Sequence, residues 1–199
     1  MPLRRVLLAL AVVAALGAAA CGDPPEKELQ QAQSAIDAAR AAGADQFAHD
    51  EFTAATDALK RANDAVADRD YRLALNHALD ARERAQNATK EAASRKTAAR
   101  RDAEHALADA NRALADAQAA LKTAEGARVA RHTLDTARGG IANAKDAVQK
   151  ARTTFDQGDY LAAITTSKAT AADLRKITRD LGSAAPAPTR RRHSGRRRN

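Results

Sequence analysis

The sequence predicts an all-α protein: two three-helix antiparallel bundle or coiled-coil units sharing one long central helix, followed by a disordered basic tail. Three observations carry that prediction. Alanine supplies 55 of the 199 residues, whereas Phe, Tyr and Trp together supply five. Small and apolar residues recur at three- and four-residue spacing over most of the chain, which is helical periodicity. No Pro or Gly lies between Tyr71 and Glu125. Alanine is the strongest helix former but buries little surface per residue, so such helices pack closely around a thin core.

The first twenty residues read as an export leader, 1–20. Arg4 and Arg5 form a positive start, Val6 to Leu16 an apolar run, and Gly17-Ala18-Ala19-Ala20 a small-residue exit. The apolar run is shorter than the roughly 20 residues a membrane span needs. Ala18 and Ala20 satisfy the spacing of an ordinary cleaved signal. The only cysteine, Cys21, stands directly after them, a placement that resembles the lipobox of bacterial lipoproteins. The resemblance implies a diacylglyceryl group on Cys21 and a lipid-anchored protein. One cysteine also excludes an internal disulfide framework. Residues 21–26, with Pro24-Pro25, form a short tether.

The first three-helix unit is expected over 27–92, with helices near 27–42, 50–68 and 71–92. Leu29, Ala32, Ile36 and Ala39 mark the first, which stops at Gly43. Phe52, Ala55, Leu59, Ala62 and Val66 mark the second, with Asp50 as its N-cap. After Asp68-Arg69-Asp70, Tyr71 opens the third, whose alanine stripe runs from Ala74 to Ala92. Large and small residues alternating in this way give coiled-coil-like packing.

The pattern then repeats. Asp57-Ala58-Leu59-Lys60-Arg61-Ala62 through Asp70-Tyr71 aligns without gaps on Asp146-Ala147-Val148-Gln149-Lys150-Ala151 through Asp159-Tyr160. Upstream, Gly43-Ala44 corresponds to Gly126-Ala127 if the second copy gained about one heptad, Leu134 to Gly140. The second unit is therefore expected over 103–181, with helices near 103–125, 131–156 and 159–181. Between the units, 93–102 is polar all round and carries a stutter in the stripe at Arg95, yet nothing in it breaks a helix. The third and fourth helices should be one, about 80 Å long at 1.5 Å per residue. Residues 182–199 lack apolar periodicity and read as a disordered tail.

The net charge of +8 is confined to the ends. No Asp or Glu occurs in 1–21 or 182–199, and those stretches hold eight Arg; the body balances 25 basic against 25 acidic residues. A basic groove across the fold is not indicated, and nucleic acid is not the expected partner. Arg190, Arg191, Arg192, Arg196, Arg197 and Arg198 can contact phosphates of anionic lipid or lipopolysaccharide, or a cell-wall polymer. The alternative is a solvated low-complexity end.

Catalytic and metal chemistry find no support. None of His49, His77, His105, His132 and His193 has a His or Cys three or four residues away, so no helical metal site is expected and no cofactor is implied. Asp68 with Asp70, and Asp156 with Asp159, fit helix capping; neither turn has the ligand spacing of a calcium loop. Phe47, Phe52, Tyr71, Phe155 and Tyr160 all fall near turns, where rings plug the ends of bundles whose middles are alanine. Gly139-Gly140 marks a close helix contact or a kink. Phe155-Asp156-Gln157-Gly158-Asp159-Tyr160 resembles the inner turn of a tetratricopeptide hairpin, without that repeat's period.

Pro24-Pro25, Ala32, Ala35-Ile36, Ala38-Ala39, Gly43-Ala44, Phe47-Ala48, Phe52, Ala55, Leu59, Ala62, Asp70-Tyr71, Ala74, Ala78 and Ala85 resemble domain of unknown function 4398 over about 27–100. This resemblance implies a short helical domain of a bacterial envelope lipoprotein, with no catalytic residues. The expectation is a non-enzymatic, lipid-anchored helical spacer or adaptor of the cell envelope, facing the periplasm and touching an anionic surface through its tail. The alternative is a periplasmic helical module that takes a partner protein's helix in an inter-helix groove.

Overall fold

A computed structural model describes residues 23–184. They form six helices and no strand: α1 Glu26–Ala41, α2 Ala44–Phe47, α3 His49–Ala67, α4 Tyr71–Gly126, α5 Arg131–Asp156 and α6 Tyr160–Ala184. The chain divides into two compact units, one within 1–96 and the other within 97–199. The central helix α4, 56 residues long, belongs to both: its first part completes the first unit and its last part opens the second. The leader, Cys21 and the six tail arginines lie outside the described residues.

In the first unit α1 turns Ala32, Ile36 and Ala39 inward, with Glu26 and Glu28 in its first turn and Arg40 in its last. Those signs oppose the helix dipole at both ends. Facing it, α3 buries Ala55, Ala58, Ala62 and Ala65, and α4 buries Ala74, Ala78, Ala81, Ala85, Ala88 and Ala92. Ala32, Ala58 and Ala81 meet at the centre with Leu59 against them, a junction where only methyl groups separate three backbones. Ion pairs stitch the rim. Arg84 reaches Asp80 at 2.9 Å and Glu51 at 3.6 Å, and Arg82 donates to Gln31 Oε1 at 2.6 Å.

In the second unit Leu174 is buried where the first has the buried Ala85. Ala110, Ala113 and Ala117 of α4 pack with Ile141, Ala144 and Val148 of α5 and Ala171 and Leu174 of α6. A second cluster joins Ala124, Val129, Leu134, Ala137 and Leu181. Burying a leucine such as Leu174 contributes about 1.5–3 kcal/mol, well above what an alanine methyl gives.

The duplication reappears in the turns. Asp68 N–H donates to Asp64 O, Arg69 N–H to Val66 O, and Asp70 N–H to Ala65 O. At the aligned positions Gln157 donates to Thr153 O, Gly158 to Phe155 O, and Asp159 to Thr154 O. Both are Schellman-type endings with a left-handed residue, Arg69 at φ 60° and Gly158 at φ 86°. Both then start the next helix with an aspartate cap: Asp70 Oδ1 accepts from Leu73 N–H at 3.0 Å and Asp159 Oδ1 from Ala162 N–H at 3.1 Å. The extra heptad is also visible, since α5 has 26 residues against 19 in α3.

Four local expectations are corrected. A short helix, α2, stands between Gly43 and Ala48 where a loop is expected; Phe47, only 6% exposed, holds it down. Asp50 does not cap α3: the helix begins at His49 after Ala48, with no side-chain cap, and Asp50 sits in its first turn. Gly126 is not the counterpart of Gly43 in backbone conformation, because Gly43 takes φ 84° whereas the left-handed residue of the α4–α5 turn is Arg128 at φ 60°. Finally, Gly182, Ser183 and Ala184 extend α6 rather than starting the tail, and Ser183 Oγ donates back to Asp180 O.

Candidate functional site

Three of the four turn aspartates are occupied by structural work. Asp70 and Asp159 accept backbone N–H bonds as caps, and Asp156 pairs with Arg152 at 3.4 Å. Among the described residues no group of three or more His, Cys, Asp or Glu is placed to hold a metal ion. His49 meets only a backbone carbonyl, Asp45 O, at 3.3 Å. Phe155 and Tyr160 stack against each other at 5.3 Å across the α5–α6 turn, and Arg40 covers Phe52 at 5.4 Å. Those rings brace helix ends.

Two concavities lie in the second unit among the described residues. The larger is a groove of about 440 Å³ between the start of α5 and the end of α6. His132, Thr133, Thr136, Ala137 and Gly140 form one wall; Asp173, Lys176, Ile177, Asp180 and Leu181 form the other. Thr136, Ala137 and Gly140 of its wall belong to the inserted heptad. Of that heptad, only Leu134 and Ala137 are buried in the core, and it ends in two glycines. A Cβ at Gly140 would lie 2.7 Å from Ile177 Cδ1, so this glycine is a close helix contact, whereas Gly139 has open space around it. Sequence reasoning weighed Gly139-Gly140 as a contact or kink without assigning Ile177 to it. The partner on α6 is a tertiary fact that no local pattern encodes.

At the mouth of that end of the unit, Arg138 binds Glu125 at 2.7 Å and Asp135 at 2.7 Å, tying α4 to α5. Hydrogen bonds from the guanidinium to Glu125 and then Asp135 raise its pKa above the ordinary arginine value. The pair is solvent-exposed and is worth little in stability. The smaller concavity, about 340 Å³, lies between α4 and α6 and is lined by Asp102, His105, Ala106, Asp109, Lys168, Ala171 and Arg175. Its charges are mixed, and Asp109 is already bound to Arg112 at 3.4 Å.

Cys21 and Arg190, Arg191, Arg192, Arg196, Arg197 and Arg198 fall outside the described residues. Among the described residues no helix is long and apolar enough to cross a membrane.

Residues 27–103 match the family model described as Domain of unknown function (DUF4398). The match covers the helices of the first unit and continues seven residues past Lys96 along α4. No curated protein and no solved structure matches the chain.

Proposed function

We propose that this protein is a lipid-anchored, non-catalytic helical spacer or adaptor of the bacterial cell envelope. The observation that carries the reading is Cys21, the only cysteine, at the exit of an export-type leader and just ahead of Pro24-Pro25. The helical architecture supports a structural role. One helix is common to two units whose cores are closely packed alanines and aliphatic residues, and Asp70, Asp156 and Asp159 of the turns serve as caps or in an ion pair. The match over 27–103 adds a domain type without an assigned activity. Two acyl chains on Cys21, at about 0.8 kcal/mol per buried methylene, are enough for stable anchoring. Fractionation of cells carrying Cys21→Ala tests this directly. The variant should leave the membrane fraction or accumulate with its leader uncut, while the parent stays membrane-bound; a variant that is cut and fully membrane-bound overturns the proposal.

A second reading, a module that takes a partner protein's helix between its own helices, draws on the α5–α6 groove. Its apolar floor is narrow, since Ala137 and Leu181 are themselves buried and Ile177 is half-buried. A partner helix needs a row of anchor pockets, and the adaptor reading is preferred.

A further inference from the structure

We infer that the α5–α6 groove is the docking site of this chain's own arginine segment, within residues 185–199. Three observations converge on that occupant. The first is charge. Asp173 and Asp180 stand exposed on the α6 wall, seven residues apart on one face, and neither carboxylate belongs to an ion pair or accepts a hydrogen bond among the described residues. In the aligned first unit the place of Asp173 is held by Arg84, which pairs with Asp80 and Glu51. The second unit thus places an acid where the first has a paired arginine.

The second observation is shape. The floor between the carboxylates is a short apolar strip, Ala137, Gly140 and Ile177, too small for a row of large side chains. It suits an arginine, whose methylene stem lies on apolar surface while its planar head meets a carboxylate. The third is connectivity. α6 ends at Ala184, three residues beyond Leu181 of the groove, and the sequence continues for fifteen more. Asp173 lies roughly 17 Å back from Ala184 at 1.5 Å per residue. Arg190 is six residues beyond Ala184, a reach of about 20 Å when extended. Arg190, Arg191 and Arg192 can therefore meet both acids by folding back along α6.

Lys176 projects into the same groove and, with Arg175 and Arg179 nearby on α6, opposes the docked segment. Docking is accordingly weak and salt-sensitive, so the arginines are shared between the groove and any anionic surface outside. The groove then acts as an internal competitor for the tail. This inference concerns the second unit and its tail alone and stands whether or not Cys21 is acylated.

The test uses the full mature chain with Cys21→Ser, so that Ser194→Cys supplies the only thiol for a nitroxide. The amide signals of Thr133, Thr136, Gly140 and Ile177 should lose most of their intensity at low salt, while those of the first unit keep theirs. High salt should restore them. Asp173→Asn with Asp180→Asn should also restore them, and Lys176→Glu should deepen the loss. Both acids are exposed, so the double variant keeps its fold. Uniform broadening over both units, or broadening indifferent to the double variant, overturns the assignment. Broadening that grows with protein concentration means that a second copy's tail fills the groove, and overturns it equally.

Discussion

Ser167 and Arg69 are the residues at which this chain departs from what its own packing favours. Ser167 is fully buried on α6, and its Oγ has no hydrogen-bond partner. The aligned residue of the first unit is Ala78, buried to the same degree. An unsatisfied buried hydroxyl costs about 1–3 kcal/mol, so Ser167→Ala should raise stability by roughly 1 kcal/mol, read as a higher urea midpoint at unchanged slope. A lower midpoint would mean that the hydroxyl is bonded after all. Arg69 holds a left-handed conformation that glycine takes freely, as Gly158 does at the aligned turn. Arg69→Gly should therefore stabilise the α3–α4 hairpin by about 1 kcal/mol, and Gly158→Ala should destabilise α5–α6 by a similar amount. Thermal melts of the two single variants check both signs. The alignment made these residues comparable from sequence alone, but neither the orphaned hydroxyl nor the strained φ could be read there. The first depends on which neighbours surround position 167. The second depends on which of Asp68, Arg69 and Asp70 closes the turn.

The helices themselves were legible because their signals are local and redundant. Alanine at three- and four-residue spacing marks the buried stripe of α4, and the buried set from Ala74 to Ala92 is that stripe. The continuity of α4 followed from the lack of Pro and Gly, and the stutter at Arg95 is simply an exposed arginine bound to Glu91 at 2.6 Å. What escaped were features one turn long. α2 has only four residues, too few to be stable by propensity, and exists because Phe47 is buried. The start of α3 lacks a side-chain cap, so no residue announced it. The extension of α6 through Gly182 runs against glycine's own preference. The inserted heptad offers an element-scale test, since its two glycines are adjacent and helical but differ in surroundings. Gly139→Ala meets nothing and should gain about 1 kcal/mol from helix propensity. Gly140→Ala must displace Ile177 Cδ1 and should gain distinctly less or lose stability. Equal gains in a denaturant titration would contradict the close approach of α5 and α6.

For the molecule as a whole, the charge distribution organises the proposed roles. The body is electrically balanced, and the excess of basic residues lies at the two ends, in the leader and the tail. Removing 185–199 should abolish binding of the unlipidated chain to anionic vesicles, and added salt should weaken the intact chain, since exposed charges are screened within about 10 Å at 0.1 M. Binding that survives the deletion, or ignores salt, would place the contact on the bundle instead. The groove and the tail add a second level, because neutralising Asp173 and Asp180 should then strengthen vesicle binding more than neutralising two exposed acids elsewhere. The readings of Cys21 and of the tail rest on the sequence alone, on a unique cysteine after an export-type segment and on a run of arginines. The groove could not be read there, because it lies between α5 and α6, whose meeting is a tertiary fact. The anchor is the claim on which the functional account rests, and its most direct measurement is the mass of the N-terminal peptide of the protein isolated from envelopes. The account predicts a peptide that begins at Cys21 and carries the mass of a diacylglyceryl group. A peptide beginning at Cys21 with a free thiol, or one that retains the leader, would contradict it.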